Sequence, residues 1–346
     1  MTECTRYWVI GDIHGMYDPL KALINRIRSI EQKSGGQSTL LFLGDYIDHG
    51  PCSMEVVDLL LSLKGDFRTI FLAGNHEDLM LQFMRGSEIF ERFGNIWFRG
   101  NGGQQTVCSF FGDTDLFHRA SVNRLDTPTI QPEELHFMPK HMKFFEDLRY
   151  AHSDTISFGD KKIKLAFSHA NLFSEDNVTT QNALIPEPGI TIDEQLAIQT
   201  YKEFHEFCDQ KKLWIESGHI WNRDDPGKRF DDYLLVHGHT PTPALGTGDY
   251  VLDRFDPDTA LPFFKFTRRD VQVRRSYGKI EFDAKLDEII AINIDTGAVY
   301  GRALTAICLD AETLAEDAQV ECLQIRLDKP FRDRRNMDYI VYSFTG

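Results

Sequence analysis

Three short motifs, each closing an apolar run near the start of the chain, constrain its fold more than any other feature of its 346 residues. Gly11-Asp12-Ile13-His14-Gly15 follows residues 7–10, Gly44-Asp45-Tyr46-Ile47-Asp48-His49-Gly50 follows 39–43, and Gly74-Asn75-His76-Glu77 follows 69–73. The runs are short and rich in β-branched and aromatic residues, which reads as buried strand. Leu20, Leu23, Ile24, Ile27 and Ile30 recur at helical spacing in the first interval, and Val56, Leu59, Leu60 and Leu63 in the second. Strand and helix alternating at crossover length predict a parallel α/β sheet. Such a sheet sends the C-terminal ends of its strands to one edge, where ligands bind. Asp12, His14, Asp45, Asp48, Asn75 and His76 are therefore predicted to converge. Carboxylate, imidazole and amide donors gathered at strand ends are what a pair of divalent metals needs.

Composition narrows the partners. The formal net charge is -15, so the chain is not expected to hold nucleic acid through a general basic surface, and no nucleic-acid partner is expected. Bound cations would still make a pocket positive, so a phosphorylated substrate remains compatible. Six cysteines lie scattered at 4, 52, 108, 208, 308 and 322 without a CxxC pair, which reads as reduced thiols and argues against a cysteine zinc site. The chain enters a strand at once without an apolar signal core. No run approaches about 18 apolar residues, so no membrane partner is expected and the expected compartment is cytoplasmic.

Beyond the third motif, residues 77–150 read as a helical cap, with a turn at Asn101-Gly102-Gly103, a helix near 104–110, and a loop then an amphipathic helix over 131–150. Trp97 and Phe98 read as core filling. Strand signals return at 163–167, ending in His169, and at 233–236, ending in His237-Gly238-His239. A helix is expected near 194–208, and the arginines within 268–275 read as the solvated face of a hairpin. Residues 289–293, 303–309 and 322–327 read as strands of a second sheet. The histidines at 118, 136, 141, 152, 205, 219 and 237 carry no motif and read as surface or core residues. Without a linker or repeat, the chain reads as one domain over 1–346 with insertions at 77–150, 171–232 and 245–285.

His169 and His239 complete a recognisable order: GDxHG, GDxxDxG, GNHE, a lone His after a strand, and GHTP. That order resembles the calcineurin-like metallophosphoesterase superfamily, and within it is most similar to the phosphoprotein phosphatase family, especially its bacterial and phage Ser/Thr branch. Further likeness lies in Trp97…Asn101-Gly102-Gly103…Thr106, in Ile220-Trp221-Asn222-Arg223 and in Asn293-Ile294-Asp295-Thr296-Gly297, so the resemblance runs from about residue 7 to about 310.

The resemblance implies a four-layer α/β/β/α sandwich with a helical cap, and two divalent metal ions, with Mn expected and Fe or Zn compatible. It implies Asp12 and His14 on one ion, Asp45 bridging, and Asn75, His169 and His239 on the other. It further implies direct attack of a metal-bridging hydroxide on a phosphate monoester, His76 as general acid oriented by Asp48, and phosphate contacts from Arg223, Asn75 and His49. Implied substrates are a phosphorylated protein or peptide, or a small phosphorylated molecule. One departure stands out: the family carries Arg directly after the aspartate equivalent to Asp48, and here that position is His49. Arg99 and the arginines of 268–275 are candidate replacements. Symmetrical diadenosine tetraphosphate hydrolysis is the nearest enzymatic alternative, and a weakly active phosphoprotein-binding module the non-enzymatic one.

Overall fold

The computed structural model describes residues 6–35, 38–85, 97–98, 100–112, 115–116, 118–119, 130–173, 190–211, 220–223, 229–242, 262–267, 271–276, 279–316 and 319–327. The chain begins with β1 (Arg6–Ile10), α1 (Tyr17–Ser34), β2 (Thr39–Phe42), α2 (Ser53–Leu63), β3 (Arg68–Phe71) and α3 (Asn75–Met84). Two cap helices follow, α4 (Gly103–Phe111) and α5 (Pro139–Glu146), then the hairpin β4 (His152–Phe158) and β5 (Lys161–Phe167). After α6 (Ile192–Leu196), α7 (Tyr201–Lys211) and β6 (Tyr233–His237) come β7 (Phe263–Phe266), β8 (Val273–Ser276), β9 (Lys279–Phe282) and β10 (Ile289–Asn293). The described chain closes with β11 (Ala303–Asp310), α8 (Ala311–Glu316) and β12 (Gln319–Arg326).

These strands form two sheets. One has seven strands in the order β3-β2-β1-β11-β12-β9-β8, the other five in the order β4-β5-β6-β10-β7. Side chains alternate across a strand, and β1 and β2 use both faces. Tyr7, Val9, Leu41 and Leu43 join a core shared with Leu165, Phe167, Leu234 and Val236 of the five-stranded sheet. Trp8, Ile10, Leu40 and Phe42 face the other way, against Leu20, Leu23, Ile24 and Ile27 of α1 and Val56 and Leu60 of α2. On the far side, Ile192 and Leu196 of α6 cover Ala166, Leu235 and Ala291. The result is the α/β/β/α layering that the resemblance implied. Burying each large apolar side chain contributes roughly 1.5–3 kcal/mol, so the strands that carry the motifs are clamped from both faces.

β1, β2 and β3 run parallel, as do β5, β6 and β10. Both sheets therefore present parallel strand ends towards the motif loops. Three features differ from the sequence reading. Residues 303–309 and 322–327 do not join 289–293 in the second sheet; β11 pairs antiparallel with β1, setting Trp8 opposite Cys308, and β12 pairs with β11. Alternation marks a strand but not its sheet, and the chain changes sheets through the turn at Ala298–Tyr300. The helix expected at 194–208 is two helices, because Glu203 accepts from the amides of Gln199 and Thr200 while Thr200 Oγ1 accepts from the Glu203 amide, a fresh helix start. β4, a mostly polar edge strand, gave no apolar signal. No described helix is long and apolar enough to cross a membrane.

Candidate active site

The expected residues meet at the strand ends. Asp12 and His14 leave β1, Asp45, Asp48 and His49 leave β2, and Asn75 and His76 open α3 directly after β3. His169 leaves β5 and His239 leaves β6, so the site straddles the seam between the sheets. The backbone here is strained. Six described non-glycine residues have positive φ, and five belong to this site: His14 (48°), Asp45 (52°), Asp48 (72°), His49 (60°) and His239 (70°). Such conformations cost roughly 1–3 kcal/mol each and persist only where the surroundings over-determine them. Glu77 supplies much of that determination, its buried carboxylate accepting from the amides of Asp45, Tyr46, Ile47 and Gly74 at 2.8–3.3 Å. Two glycines are required by close approach. A Cβ on Gly74 would lie 2.0 Å from Asp45 Oδ1, and one on Gly238 would lie 2.2 Å from Asp12 Oδ1.

Hydrogen bonds set which nitrogen each imidazole presents. His169 Nδ1–H donates to the Leu43 carbonyl (3.0 Å), leaving Nε2 to face Asn75 Oδ1 (3.1 Å), Asp45 Oδ2 (3.4 Å) and His239 Nδ1 (3.2 Å). His239 donates from Nε2 to the Trp221 carbonyl (3.2 Å), so its Nδ1 also turns a lone pair inward. His14 donates from Nδ1 to the Ile47 carbonyl (3.0 Å) and presents Nε2 to Asp45 Oδ2 at 3.3 Å. Asp12 Oδ2 accepts from the His239 amide, whereas its buried Oδ1 has no hydrogen-bond partner.

Lone pairs that converge at such distances with no proton between them repel unless a cation lies among them. The electrostatics agree. Burial, with Asp295 and Asp45 nearby, raises the Asp12 carboxyl well above its usual range, and burial lowers His14 to about 4 despite Asp45. Burial also holds His239 well below its usual value, reinforced by His169 and Arg223. Neutral imidazoles and crowded carboxylates are the donor set for divalent metals, whose charge satisfies both. The ligating atoms fall into two adjoining groups that share Asp45, namely Asp12, His14 and Asp45, and Asp45, His169 and His239. Asn75 Oδ1 adds an oxygen to the second. These residues fit a dinuclear centre.

His76 lies beside that centre. Its Nδ1 donates to Asp48 Oδ2 at 2.7 Å, and its Nε2 lies 3.9 Å from Asp45 Oδ2. Burial disfavours a charged ring, yet Asp45 and Asp48 outweigh it and lift His76 to about 9. Asp48 is fully buried and also accepts from Trp97 Nε1 (2.8 Å) and Thr106 Oγ1 (2.5 Å). Trp97 thus fills core, as expected, and braces Asp48 as well.

Towards solvent the residues become more exposed. His49 is half-buried, and Arg223 is exposed. The Arg223 charge reaches His239, Asp295 and Tyr300. Asp295, pushed up to about 6 by burial, was not among the expected site residues, nor were Glu77, Thr106 or Trp221. All four stand inside quoted motifs, which was the available signal; Thr106 and Trp221 act through a hydroxyl and a backbone carbonyl, roles those motifs do not mark. Arg99, Arg268 and Arg269 lie outside the described residues, and Arg274 is exposed on β8. Among the remaining histidines, buried His141 lies against Asp58 and half-buried His205 against Asp78.

The calcineurin-like phosphoesterase family model matches residues 5–192, and the chain belongs to that family. An asymmetrical bis(5'-nucleosyl)-tetraphosphatase PrpE of Halalkalibacterium halodurans is 23% identical over 304 residues, covering 86% of this chain and 88% of that protein. A protein phosphatase 2A catalytic chain of Dictyostelium discoideum is 37% identical over 122 residues, 33% of each protein. A solved cold-active protein-tyrosine phosphatase of a psychrophilic Shewanella species aligns over 89% of this chain and 76% of that one, with 15% identity and a TM-score of 0.46.

Proposed function

We propose that this chain hydrolyses phosphate monoesters in the manner of a Ser/Thr protein phosphatase, with His76 as the general acid. The observation that carries this reading is the His76–Asp48 pair set beside the bridging carboxylate Asp45. Asp12 and His14 would hold one divalent ion, Asn75, His169 and His239 the other, and Asp45 both. Two such ions supply an acidified nucleophile and neutralise charge building on the phosphoryl oxygens. His76 donates its Nε2 proton to the leaving oxygen, and Asp48 keeps that ring in the donating orientation and charge state. Arg223 meets the phosphate with its planar fork, assisted by Asn75 and His49. No covalent step from the Cys52 thiol is needed: burial, with Glu55 and Asp18, pushes it up to about 11, so it is no thiolate nucleophile.

A second reading is hydrolysis of a dinucleoside polyphosphate, favoured by the relative of that name that aligns over most of both chains. One assay separates the two. Purified protein with Mn²⁺ is offered p-nitrophenyl phosphate, phosphoserine, phosphothreonine and phosphotyrosine peptides, and diadenosine tetraphosphate. Preference for phosphopeptides supports the first reading, and preference for the dinucleotide replaces it with the second. Metal-loaded protein that cleaves none of them overturns both.

A further inference from the structure

His14, His49 and His76 form a cluster of three imidazoles at the solvent side of the carboxylates. Their ring centroids lie 4.6–5.1 Å apart, in edge-on arrangements. One ring nitrogen from each lies within 4.8 Å of the other two. Two of the rings carry the outer hydrogen bond typical of metal-binding histidines: His14 Nδ1 to the Ile47 carbonyl, and His76 Nδ1 to the Asp48 carboxylate. His49 is pinned through its backbone, since a Cβ on Gly102 would come within 2.3 Å of its amide nitrogen.

We infer that these three rings form a second, competing metal site selective for zinc. A tetrahedral zinc with bonds of about 2.0–2.1 Å places its nitrogens about 3.4 Å apart, so the cluster must draw in by little more than about 1 Å. The chemistry separates this site from the neighbouring one. Three imidazole nitrogens suit zinc, which also accepts a carboxylate oxygen such as Asp45 Oδ2, 3.3 Å from His14 Nε2 and 3.9 Å from His76 Nε2, whereas the oxygen-rich set around Asp12 and Asp45 suits manganese. His14 Nε2 has a single lone pair, so an ion on the three histidines excludes the ion that His14 shares with Asp12 and Asp45. Zinc there also occupies His76 Nε2, which then cannot carry a proton; this last consequence rests on the proposed role of His76. Arginine at position 49, the residue of the related phosphatases, has no lone pair to offer, so the site depends on the histidine found here.

The test titrates Mn²⁺-loaded protein with Zn²⁺, reading bound metals by mass spectrometry and the zinc ligands by X-ray absorption. Wild-type protein is expected to exchange one Mn²⁺ for a zinc with three imidazole nitrogens, and added Mn²⁺ should reverse the exchange. His49→Ala and His49→Arg should weaken zinc binding by at least about 10-fold, the least that loss of even a ligand's supporting partner costs. Unchanged zinc affinity in both variants, or zinc uptake without Mn²⁺ release in wild type, overturns the inference. Metal exchange is read without turnover, so a protein inactive on every phosphate ester still decides it.

Discussion

At the floor of the site Asp12, Asp45, Asn75, His169 and His239 are almost wholly buried, and the three imidazoles His14, His169 and His239 are each fixed by a backbone carbonyl. At its rim His49 is half-buried and Arg223 is exposed. The floor is over-determined in the sense that strained backbone, buried carboxylate and glycine contacts all specify one arrangement. The rim is the more exposed part. The difference teaches where to look: on the proposed reading the buried part sets the reaction class and the exposed part substrate choice. It also accounts for a family assignment that stands while relatives of the chain act on different phosphates by name.

Substitutions can break this contrast, beginning at the floor. Asp45→Asn removes the carboxylate that the two proposed ion sites share. Turnover should fall on the order of 10⁴-fold, because each ion is worth several kcal/mol in the transition state, and bound metal should drop below two per chain. Full metal content with normal turnover would show that Asp45 bridges nothing. His76→Asn should lower kcat by about 10²–10⁴ with metal content intact; unchanged kcat would end its role as acid.

Two further substitutions sharpen the contrast. Glu77→Ala leaves four backbone amides without their acceptor and should cost roughly 3 kcal/mol of stability, measured by urea unfolding of the metal-free protein. A loss below about 1 kcal/mol would mean that the motif loops hold their shape unaided. Arg223→Gln, at the rim, should raise KM about 10-fold, in line with one charge-assisted hydrogen bond, while kcat and stability stay near wild type. A fall in kcat equal to that of His76→Asn would place Arg223 with the floor instead.

How much was legible followed from how local each signal is. Residues 7–10, 39–43 and 69–73 announced strands because apolar runs end there in glycine, and the ligand set followed from what stands immediately after each run. Trp97 and Thr106 were not legible as partners of Asp48, since 49 and 58 residues of chain separate them from it and only packing brings them together. The Trp221 carbonyl that orients His239 is a backbone atom, invisible to residue patterns. β4 escaped notice because its edge position leaves it largely polar. The pattern of β11 marks a strand but not its sheet, because its partner β1 lies at the other end of the chain.

The seam position of the site has a consequence for assembly. Asp12, Asp45 and Asn75 belong to one sheet, and His169 and His239 to the other. An ion sharing Asp45 with the two histidines can bind fully only when the sheets are docked, so its affinity is also an affinity of one half of the sandwich for the other. Ion at 100 times its dissociation constant would add about 2.7 kcal/mol to the folded state. Melting temperature would then report metal supply, and the same atoms that ready the chain for chemistry would act as the clasp that closes it.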